Sequence, residues 1–496
     1  MPDTGIKPND LKANLMGMAN LFQASSTRIR DKIPKGNTYR ILGFEEDNPR
    51  LGWVIPPTLE DIKEVTKRFL DLNVVKGKTR FVFVGMGGSI NSVKALIKIL
   101  GNQSSNKLYA LDSLDPAALA DLFASLNSLS NTLVIAISKS GTTTETRLLA
   151  GVLRKKFEEE GLEYWNHFLW LTDLPEGRKK LVVAGWRESA AFSIQVDGGI
   201  DIGGRFSAPH TLIFLIPLLL LLEGNLSKLG VIWQGYLELR ENQMMEAAQK
   251  SQTLAEHNTS HFAIVLEVEL SNALETWIIQ LFQESIGSKI PGYNPKTVVT
   301  SSDFVSDGFV KLCFNVTHPN IICRAMVIMY LLQLFVALFS FEKGINFVNQ
   351  PEVESYKSEM KEVPIIERPE GGKIDALRLV DELRSSHRIQ QVKFLEVVSY
   401  WYLQEEERKN IRQTLAAAFP GKEIFVFAGS DWNHHSYQAA SKNLDTLFII
   451  LIKGTYESQV TGVSKEAIME NTNVLKMIAK ATFKTLKQKA IFLVMN

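Results

Sequence analysis

A short apolar run passes directly into hydroxyl-rich residues in the stretch Thr132-Leu133-Val134-Ile135-Ala136-Ile137-Ser138-Lys139-Ser140-Gly141-Thr142-Thr143-Thr144-Glu145-Thr146. The apolar run predicts a buried β-strand, and the residues from Glu145 onward predict a helix. Hydroxyl groups and the free amides of a helix N-terminus can together surround a phosphate group. An over-capped helix is the alternative explanation, but one capping side chain is usually enough. The stretch therefore predicts a strand, a phosphate-binding loop and a helix.

A glycine-rich turn follows an earlier apolar run, in the stretch Phe81-Val82-Phe83-Val84-Gly85-Met86-Gly87-Gly88-Ser89. Its glycines allow backbone amides to approach a ligand closely, and a helix is predicted from about residue 92. The stretch lacks the third glycine of the dinucleotide-binding pattern GxGxxG. Any tight strand-to-helix turn could share these features, so on its own this stretch is a weak signal.

Strands and helices alternate around both loops. This rhythm predicts an α/β fold with a doubly wound parallel sheet, that is, an αβα sandwich. The rhythm restarts after a helical stretch at residues 234–256, which predicts two such domains. We place a helical arm at residues 1–49, a first domain at 50–226, and a second domain with a C-terminal helix at 227–496. The predicted strands are 81–84, 108–111, 132–137, 168–171, 192–196, 262–268, 309–314, 424–427 and 446–451.

Composition limits the classes of function. The chain has 496 residues and a formal net charge of +1, so no basic stripe suggests a nucleic-acid partner. The apolar runs 211–222 and 325–341 are too short or too interrupted to span a membrane, so we expect core helices and no membrane association. Only Cys313 and Cys323 are present, and the N-terminus lacks a signal-peptide pattern. These features favour a reduced, cytoplasmic protein.

Four motifs in one order carry a family resemblance. The two loops above resemble the sugar-phosphate-binding signatures of SIS-domain proteins, and of phosphoglucose isomerases in particular. Gly203-Gly204-Arg205-Phe206-Ser207 resembles that family's glycine-glycine-arginine signature, and Gln350-Pro351-Glu352-Val353-Glu354-Ser355-Tyr356-Lys357 resembles its lysine signature. The subgroup most similar to this chain is the isomerase part of fused transaldolase/phosphoglucose isomerases. The segments Arg50-Leu51-Gly52-Trp53 and Thr317-His318-Pro319 of this chain resemble that subgroup.

The resemblance implies two SIS-type domains and the interconversion of glucose 6-phosphate and fructose 6-phosphate through a cis-enediol. Glu284 lies in Gln280-Leu281-Phe282-Gln283-Glu284-Ser285-Ile286-Gly287 and is the candidate base, since the family's glutamate sits in a similar motif. A carboxylate at the end of an apolar helix should also have a raised pKa. Arg205 would face the enediolate, and Lys357 would assist ring opening. The candidate substrate-binding residues are Gly88, Ser89, Ser138, Lys139, Ser140, Thr142, Thr143, Gln280 and Gln350.

The ring-opening histidine has two candidates in Gly429-Ser430-Asp431-Trp432-Asn433-His434-His435-Ser436. The spacing to Lys442 suits His435, which we take as the candidate, whereas counting forward from Gly429 favours His434. The subgroup's Gly-Pro-Arg lead-in is absent. The paired histidines lack further ligands for a metal site, so we expect no metal and no cofactor.

Two further departures from the family leave reduced activity open as an alternative. Asn349 stands where the family usually has aspartate, and Ser288 separates Gly287 from Lys289. A non-catalytic SIS-type sensor of sugar phosphates is the main rival. A sensor would not need Glu284, Arg205 and Lys357, whose presence favours an enzyme. The sequence does not determine the oligomeric state, and a homodimer is compatible with it.

Overall fold

The computed structural model describes residues 43–495, except 46–47, 258–259, 288–294, 303–304, 306, 344 and 363–375. The predicted N-terminal arm lies almost entirely outside the described residues, as do Ser288 and Lys289. Elements of the first half alternate as the sequence predicts. They are β1 (Phe44–Glu45), β2 (Asn48–Pro49), α1 (Leu59–Leu70), β3 (Arg80–Val84), α2 (Asn91–Leu100), β4 (Lys107–Leu111), α3 (Pro116–Ser125), β5 (Thr132–Ile137), α4 (Thr144–Glu159), β6 (Phe168–Thr172), α5 (Glu176–Val183), β7 (Ala191–Ser193) and α6 (Leu212–Leu221).

Elements of the second half follow a longer helical stretch. They are α7 (Leu226–Glu241), α8 (Met244–Glu256), β8 (His261–Val265), α9 (Val268–Ile286), β9 (Lys296–Thr300), β10 (Val310–Cys313), α10 (Ile321–Glu342), α11 (Val353–Met360), α12 (Ala376–Ser385), β11 (Phe394–Ser399), α13 (Glu405–Ala418), β12 (Glu423–Ala428), α14 (Gly429–His435), α15 (Tyr437–Ala440), β13 (Thr446–Lys453), α16 (Lys465–Leu486) and β14 (Ala490–Met495).

The first large sheet is five-stranded, parallel and packed on both faces. Its order is β4-β3-β5-β6-β7, so β3 lies between β4 and β5. Phe83 and Ile135 pack into one hydrophobic cluster, whereas their neighbours Val84 and Val134 pack into the other. This alternation confirms the doubly wound parallel fold. The carboxyl ends of β3 and β5 lie side by side, which places both glycine-containing loops at one edge of the sheet.

The second half divides its parallel strands between two sheets. A three-stranded sheet has the order β10-β8-β9, and a four-stranded sheet has the order β12-β11-β13-β14. Strands β9, β11 and β14 escaped the sequence prediction. β11 carries the charged residue Glu396 at its centre, which interrupts the apolar pattern that marks a buried strand. Val268 was expected to end a strand, but it begins helix α9.

The two long apolar runs are core helices, as the sequence predicts. Every residue of α6 is buried. Helix α10 is long and apolar enough to cross a membrane, but 83% of its most apolar window is buried inside the protein. It packs against α7, α8 and α9. Both hydrophobic clusters contain side chains from before and after residue 226, so the predicted domain limits stay a prediction.

Candidate active site

The loop between β5 and α4 is organised by its own hydroxyl groups. The Ser138 hydroxyl accepts a hydrogen bond from the Thr143 amide at 3.3 Å and lies 3.0 Å from the Thr143 hydroxyl. Gly141 has a φ of +68°, which a residue with a side chain rarely adopts. These contacts fold the loop back over the first turn of α4, where free backbone amides favour an anion.

A cleft of about 510 Å³ opens beside this loop. Arg50, Asp173 and Lys180 also line it, so its walls carry both signs of charge. Six predicted site residues line the cleft, and most of them belong to the two loops. The six are Ser89, Lys139, Ser140, Thr143, Arg205 and Gln350.

Three predicted contact residues of the two loops lie outside the lining of this cleft. Thr142 is exposed and lines a neighbouring groove with Arg147 and Trp186. Ser138 is buried beneath the loop and supports Thr143. Gly88 packs against the backbone of Gly204 so closely that any side chain at position 88 would collide with it. That close approach brings Ser89 and Arg205 to the same cleft.

Arg205, which lines the cleft, forms a buried ion pair with Glu284. The Arg205 Nη1 atom lies 3.0 Å from the Glu284 Oε1 atom, and the two residues are only 3% and 4% exposed. The guanidinium also donates to the Ser285 hydroxyl and to the Phe347 carbonyl, each at 2.7 Å. Arg205 is therefore fixed on three sides, with one edge toward the candidate base.

The environment of Glu284 suits a general base. Burial raises the pKa of its carboxyl above the ordinary value, while the Arg205 charge and a hydrogen bond from Gln280 act in the opposite direction. A carboxylate with a raised pKa is a stronger base than one in water. The sequence predicted this direction from the helix end, but burial is the larger cause.

Gln280 orients the carboxylate. Its side-chain amide nitrogen donates to Glu284 Oε2 at 2.9 Å and to the His434 carbonyl at 3.2 Å. Its oxygen accepts from the Asn91 side chain at 2.8 Å. Both ends of the amide are occupied within the protein, so the structure places Gln280 beneath Glu284 and outside the lining of the cleft. Asn91, a polar residue opening a buried helix, was missed from the sequence.

The structure separates the two candidate histidines. His434 Nε2 lies 2.9 Å from Glu145 Oε1, in the first turn of the phosphate-loop helix α4. His435 instead contacts the Ser436 hydroxyl at 2.5 Å and packs edge-on against Phe427. Burial lowers the pKa of His435 to about 4. The spacing to Lys442 suggests His435 as the ring-opening residue. The geometry instead favours His434.

His434 and Glu145 stabilise each other's charged forms. Burial acts to lower the pKa of His434, but the adjacent Glu145 carboxylate outweighs it and the pKa is raised. Burial likewise opposes the charge on Glu145, yet His434 holds the pKa of Glu145 below its ordinary value. Glu145 was noted in the sequence as a first-turn residue, but nothing there linked it to a histidine in a distant part of the chain.

Lys357 lies at the rim of this cluster. Its side chain is about half exposed and pairs with Glu354 at 2.8 Å on the same helix, α11. Its charge still acts on Glu145 and on His434 and opposes the protonation of His434. Among the described residues, no group of three or more histidine, cysteine, aspartate or glutamate side chains is placed to hold a metal ion.

The parallel α/β fold and the two loops at one sheet edge agree with what the resemblance to SIS-domain phosphoglucose isomerases implies. The predicted resemblance to glucose-6-phosphate isomerases is confirmed by curated relatives. The chain is 31% identical over 250 residues to the enzyme from Thermus thermophilus, an overlap of 49% of this chain and 57% of that protein. It is 27% identical over 317 residues to the Mesoplasma florum enzyme, covering 60% and 70%.

The overlap thus spans little more than half of the Thermus thermophilus relative. Among solved structures, a glucose-6-phosphate isomerase from Chlamydia trachomatis superposes with a TM-score of 0.46 at 16% identity, over 78% of this chain and 88% of that chain. No protein-family model matches the chain.

We expect Thr143→Ala to raise the Michaelis constant for a sugar phosphate about ten- to hundredfold. The reason is the loss of a hydrogen bond to a charged group, worth about 1.5–3 kcal/mol. Thr144→Ala is the matched control, because Thr144 is an exposed threonine at the start of α4 that lines the neighbouring groove, whereas the Thr142 hydroxyl contacts that of Ser140 at 2.7 Å. The Michaelis constant of this control should change less than about threefold. Equal effects of the two substitutions, measured by steady-state kinetics, would contradict the assignment of the loop.

We expect sulfate to bind the cleft more tightly at pH 5 than at pH 7, by up to about tenfold. Burial raises the pKa of Asp173 to about 6, and its Oδ2 atom lies 3.9 Å from the Lys139 Nζ atom. As the pH rises through 6, Asp173 ionises and adds a negative charge beside the anion.

Isothermal titration calorimetry measures this dependence. Asp173→Asn should abolish it, since the asparagine never ionises. Glu176→Gln is the control, because Glu176 lines the same cleft but its pKa is lowered by Lys179, below the tested range. An unchanged pH dependence in Asp173→Asn would show that another group controls anion binding.

Proposed function

We propose that this chain interconverts glucose 6-phosphate and fructose 6-phosphate, a step of glycolysis and gluconeogenesis. One observation carries the proposal: Arg205 lines the same cleft as the hydroxyl-rich loop and forms a buried ion pair with Glu284. The similarity to glucose-6-phosphate isomerases supports the same reaction.

The proton transfer follows from the pair. In the open-chain aldose, Glu284 takes the proton from C2, and the electron pair left behind forms the C1–C2 double bond of a cis-enediolate. The charge that moves onto the C1 oxygen is stabilised by Arg205, which is fixed before the reaction starts. Glu284 then returns the proton to C1, while the proton of the C2 hydroxyl passes to the C1 oxygen, so that C1 carries a hydroxyl group and C2 becomes the ketone. No atom is gained or lost, so the scheme requires neither a metal nor a cofactor.

Ring opening is assigned to His434 in place of His435. The reaction needs a proton moved from the C1 hydroxyl to the ring oxygen, and a histidine titrates near neutral pH. His434 is held by Glu145 in the helix that follows the phosphate loop. Lys357 is proposed to assist from the rim. The phosphate would rest on Ser140, Thr143 and the amides at the start of α4.

The partners, the cellular location and the oligomeric state are also part of the proposal. A small sugar phosphate is the proposed partner, with no nucleic acid and no membrane. A cytoplasmic location suits a reduced protein with this substrate, and a homodimer is compatible with the chain. A sugar-phosphate sensor is the rival outcome, which would bind fructose 6-phosphate and fail to convert it.

We expect Glu284→Gln to lower kcat by at least about 10²–10⁴-fold while the Michaelis constant changes little, because the amide keeps the shape and removes the basicity. Exchange of the C2 hydrogen with solvent should vanish as well. A coupled assay, with fructose 6-phosphate supplied and glucose 6-phosphate detected, measures turnover.

Glu275→Gln is the matched control. Glu275 lies on the same helix, α9, where it pairs with Arg408 at 3.4 Å and lines a different cleft. This variant should retain wild-type turnover. It shows how much turnover changes when a carboxylate is removed from another position on α9. If Glu284→Gln exchanges C2 hydrogen at the wild-type rate, the base is another residue.

We expect His434→Gln to slow isomerisation of the cyclic hexose phosphate by about 10²-fold or more, the usual contribution of a general acid or base. Exchange of the C2 hydrogen in a four-carbon aldose 4-phosphate should survive, because that substrate cannot close a furanose ring. His435→Gln is the control on the neighbouring residue and should leave both rates within about threefold. The reverse ranking of the two variants would restore His435 as the ring-opening residue.

A further inference from the structure

A second buried ion pair lies outside the cleft. Lys296 opens strand β9 at the edge of the three-stranded sheet, and Glu396 lies in the middle of β11 in the four-stranded sheet. Their side chains form an ion pair, and the two residues are 1% and 0% exposed. The Lys296 ammonium also lies 5.4 Å from the ring centres of both Phe425 and Phe448. The pair therefore joins the two sheets of the second half within an aromatic environment.

Glu396 has a second partner on the helix that carries His434. Its Oε1 atom accepts a hydrogen bond of 2.5 Å from the Trp432 indole nitrogen, while its Oε2 atom contacts Lys296. Trp432 is fully buried and precedes His434 by two positions in α14. One carboxylate thus connects both sheets to the helix of the candidate site.

Helix α14 depends on such contacts for its orientation. It has only seven residues, and isolated helices of that length are unstable in water. Its neighbouring side chains also bind other elements: Asp431 accepts from the Gly87 amide at 3.2 Å, and Asn433 donates to Thr482 at 2.8 Å. Trp432 sits between these two anchors and points its ring into the sheet of β11.

A buried ion pair is a poor source of stability, since apolar residues of the same size often stabilise a core equally well or better. Stability alone therefore does not account for a charged pair in the centre of a sheet. A specific acceptor for the Trp432 nitrogen does account for it, because a leucine at position 396 would fill the space and leave the indole without a partner.

We propose that Glu396, held by Lys296, is a positioning residue that orients α14 through Trp432 so that His434 faces Glu145. The proposal rests on the proposed role of His434 in ring opening. Glu396 does not line the substrate cleft and acts on His434 only through the position of α14. A change at Glu396 should therefore affect the turnover of cyclic substrate more than the binding of that substrate.

Two double variants test the proposal as a matched pair. Lys296→Met with Glu396→Gln removes both charges and keeps an acceptor for Trp432. Lys296→Met with Glu396→Leu removes both charges and the acceptor. Both remain close to the original volumes, so each should fold, which thermal unfolding and circular dichroism check.

We expect the glutamine variant to keep kcat within about threefold of wild type. The leucine variant should lose about ten- to hundredfold in kcat on cyclic substrate, the scale that follows from a small displacement of a reacting group. Its Michaelis constant should change less than about twofold, and its C2 hydrogen exchange on the four-carbon aldose phosphate should persist. If the leucine variant does not fold, Trp432→Phe removes the same hydrogen bond from the donor side. It should show the same loss of kcat with a nearly unchanged Michaelis constant.

A second measurement does not depend on activity. The titratable and charged groups that act on His434 are Glu145, Glu284, Asp431, Lys357 and His435. A displaced His434 loses its contact with Glu145, so its pKa, followed by NMR titration of the ring protons, should be lower in the leucine variant than in the glutamine variant. His434→Gln assigns the signal.

The outcomes separate the two proposals. Equal kcat and an equal His434 pKa in the two double variants would overturn the positioning role of Glu396. A wild-type chain that binds fructose 6-phosphate without converting it would overturn the proposed function, and the NMR comparison would still decide whether Glu396 positions His434.

Discussion

The Arg205 guanidinium and the Glu284 carboxylate are opposite charges placed where almost no water reaches, and the surrounding chain compensates them. Removing such ions from water costs several kcal/mol each, so both need partners within the protein. Ser285 and the Phe347 carbonyl bind the guanidinium, and Gln280 binds the carboxylate. The glycine turn before Arg205, helix α9 and the segment before α11 are thereby brought to one point.

From that pair, a chain of hydrogen bonds extends to the other candidate groups. Gln280 joins Glu284 to the His434 backbone and to Asn91, and His434 joins Glu145 at the phosphate loop. The carboxylate, the histidine and the loop therefore hold one another in place. The positions of these groups are therefore fixed before any ligand binds, which is the preorganisation that the proposed proton transfer requires.

Much of the fold and part of the candidate site could be predicted from local patterns. The strands and loops around Gly88 and Ser138 follow from apolar runs that end in small polar residues, and the structure has them in place. Strand β11 escaped because Glu396 breaks its apolar pattern, and the two partners of that carboxylate, Lys296 and Trp432, come from distant parts of the chain. Spacing along the chain suggested His435, but it does not say which of two adjacent side chains contacts Glu145, and in the structure that residue is His434.

The sequence by itself determined the parallel α/β fold, the two loops at strand ends and the candidates Arg205 and Glu284, since each depends on residues near one another in the chain. Only the tertiary structure brought His434, and not His435, against Glu145, identified Asn91 and Glu396, and placed Thr142 outside the cleft. The physical reason is that burial and charge pairing depend on distances in space. Adjacent residues of a helix point in directions about 100° apart, so His434 and His435 meet different neighbours, and only the packing of α14 shows which ones.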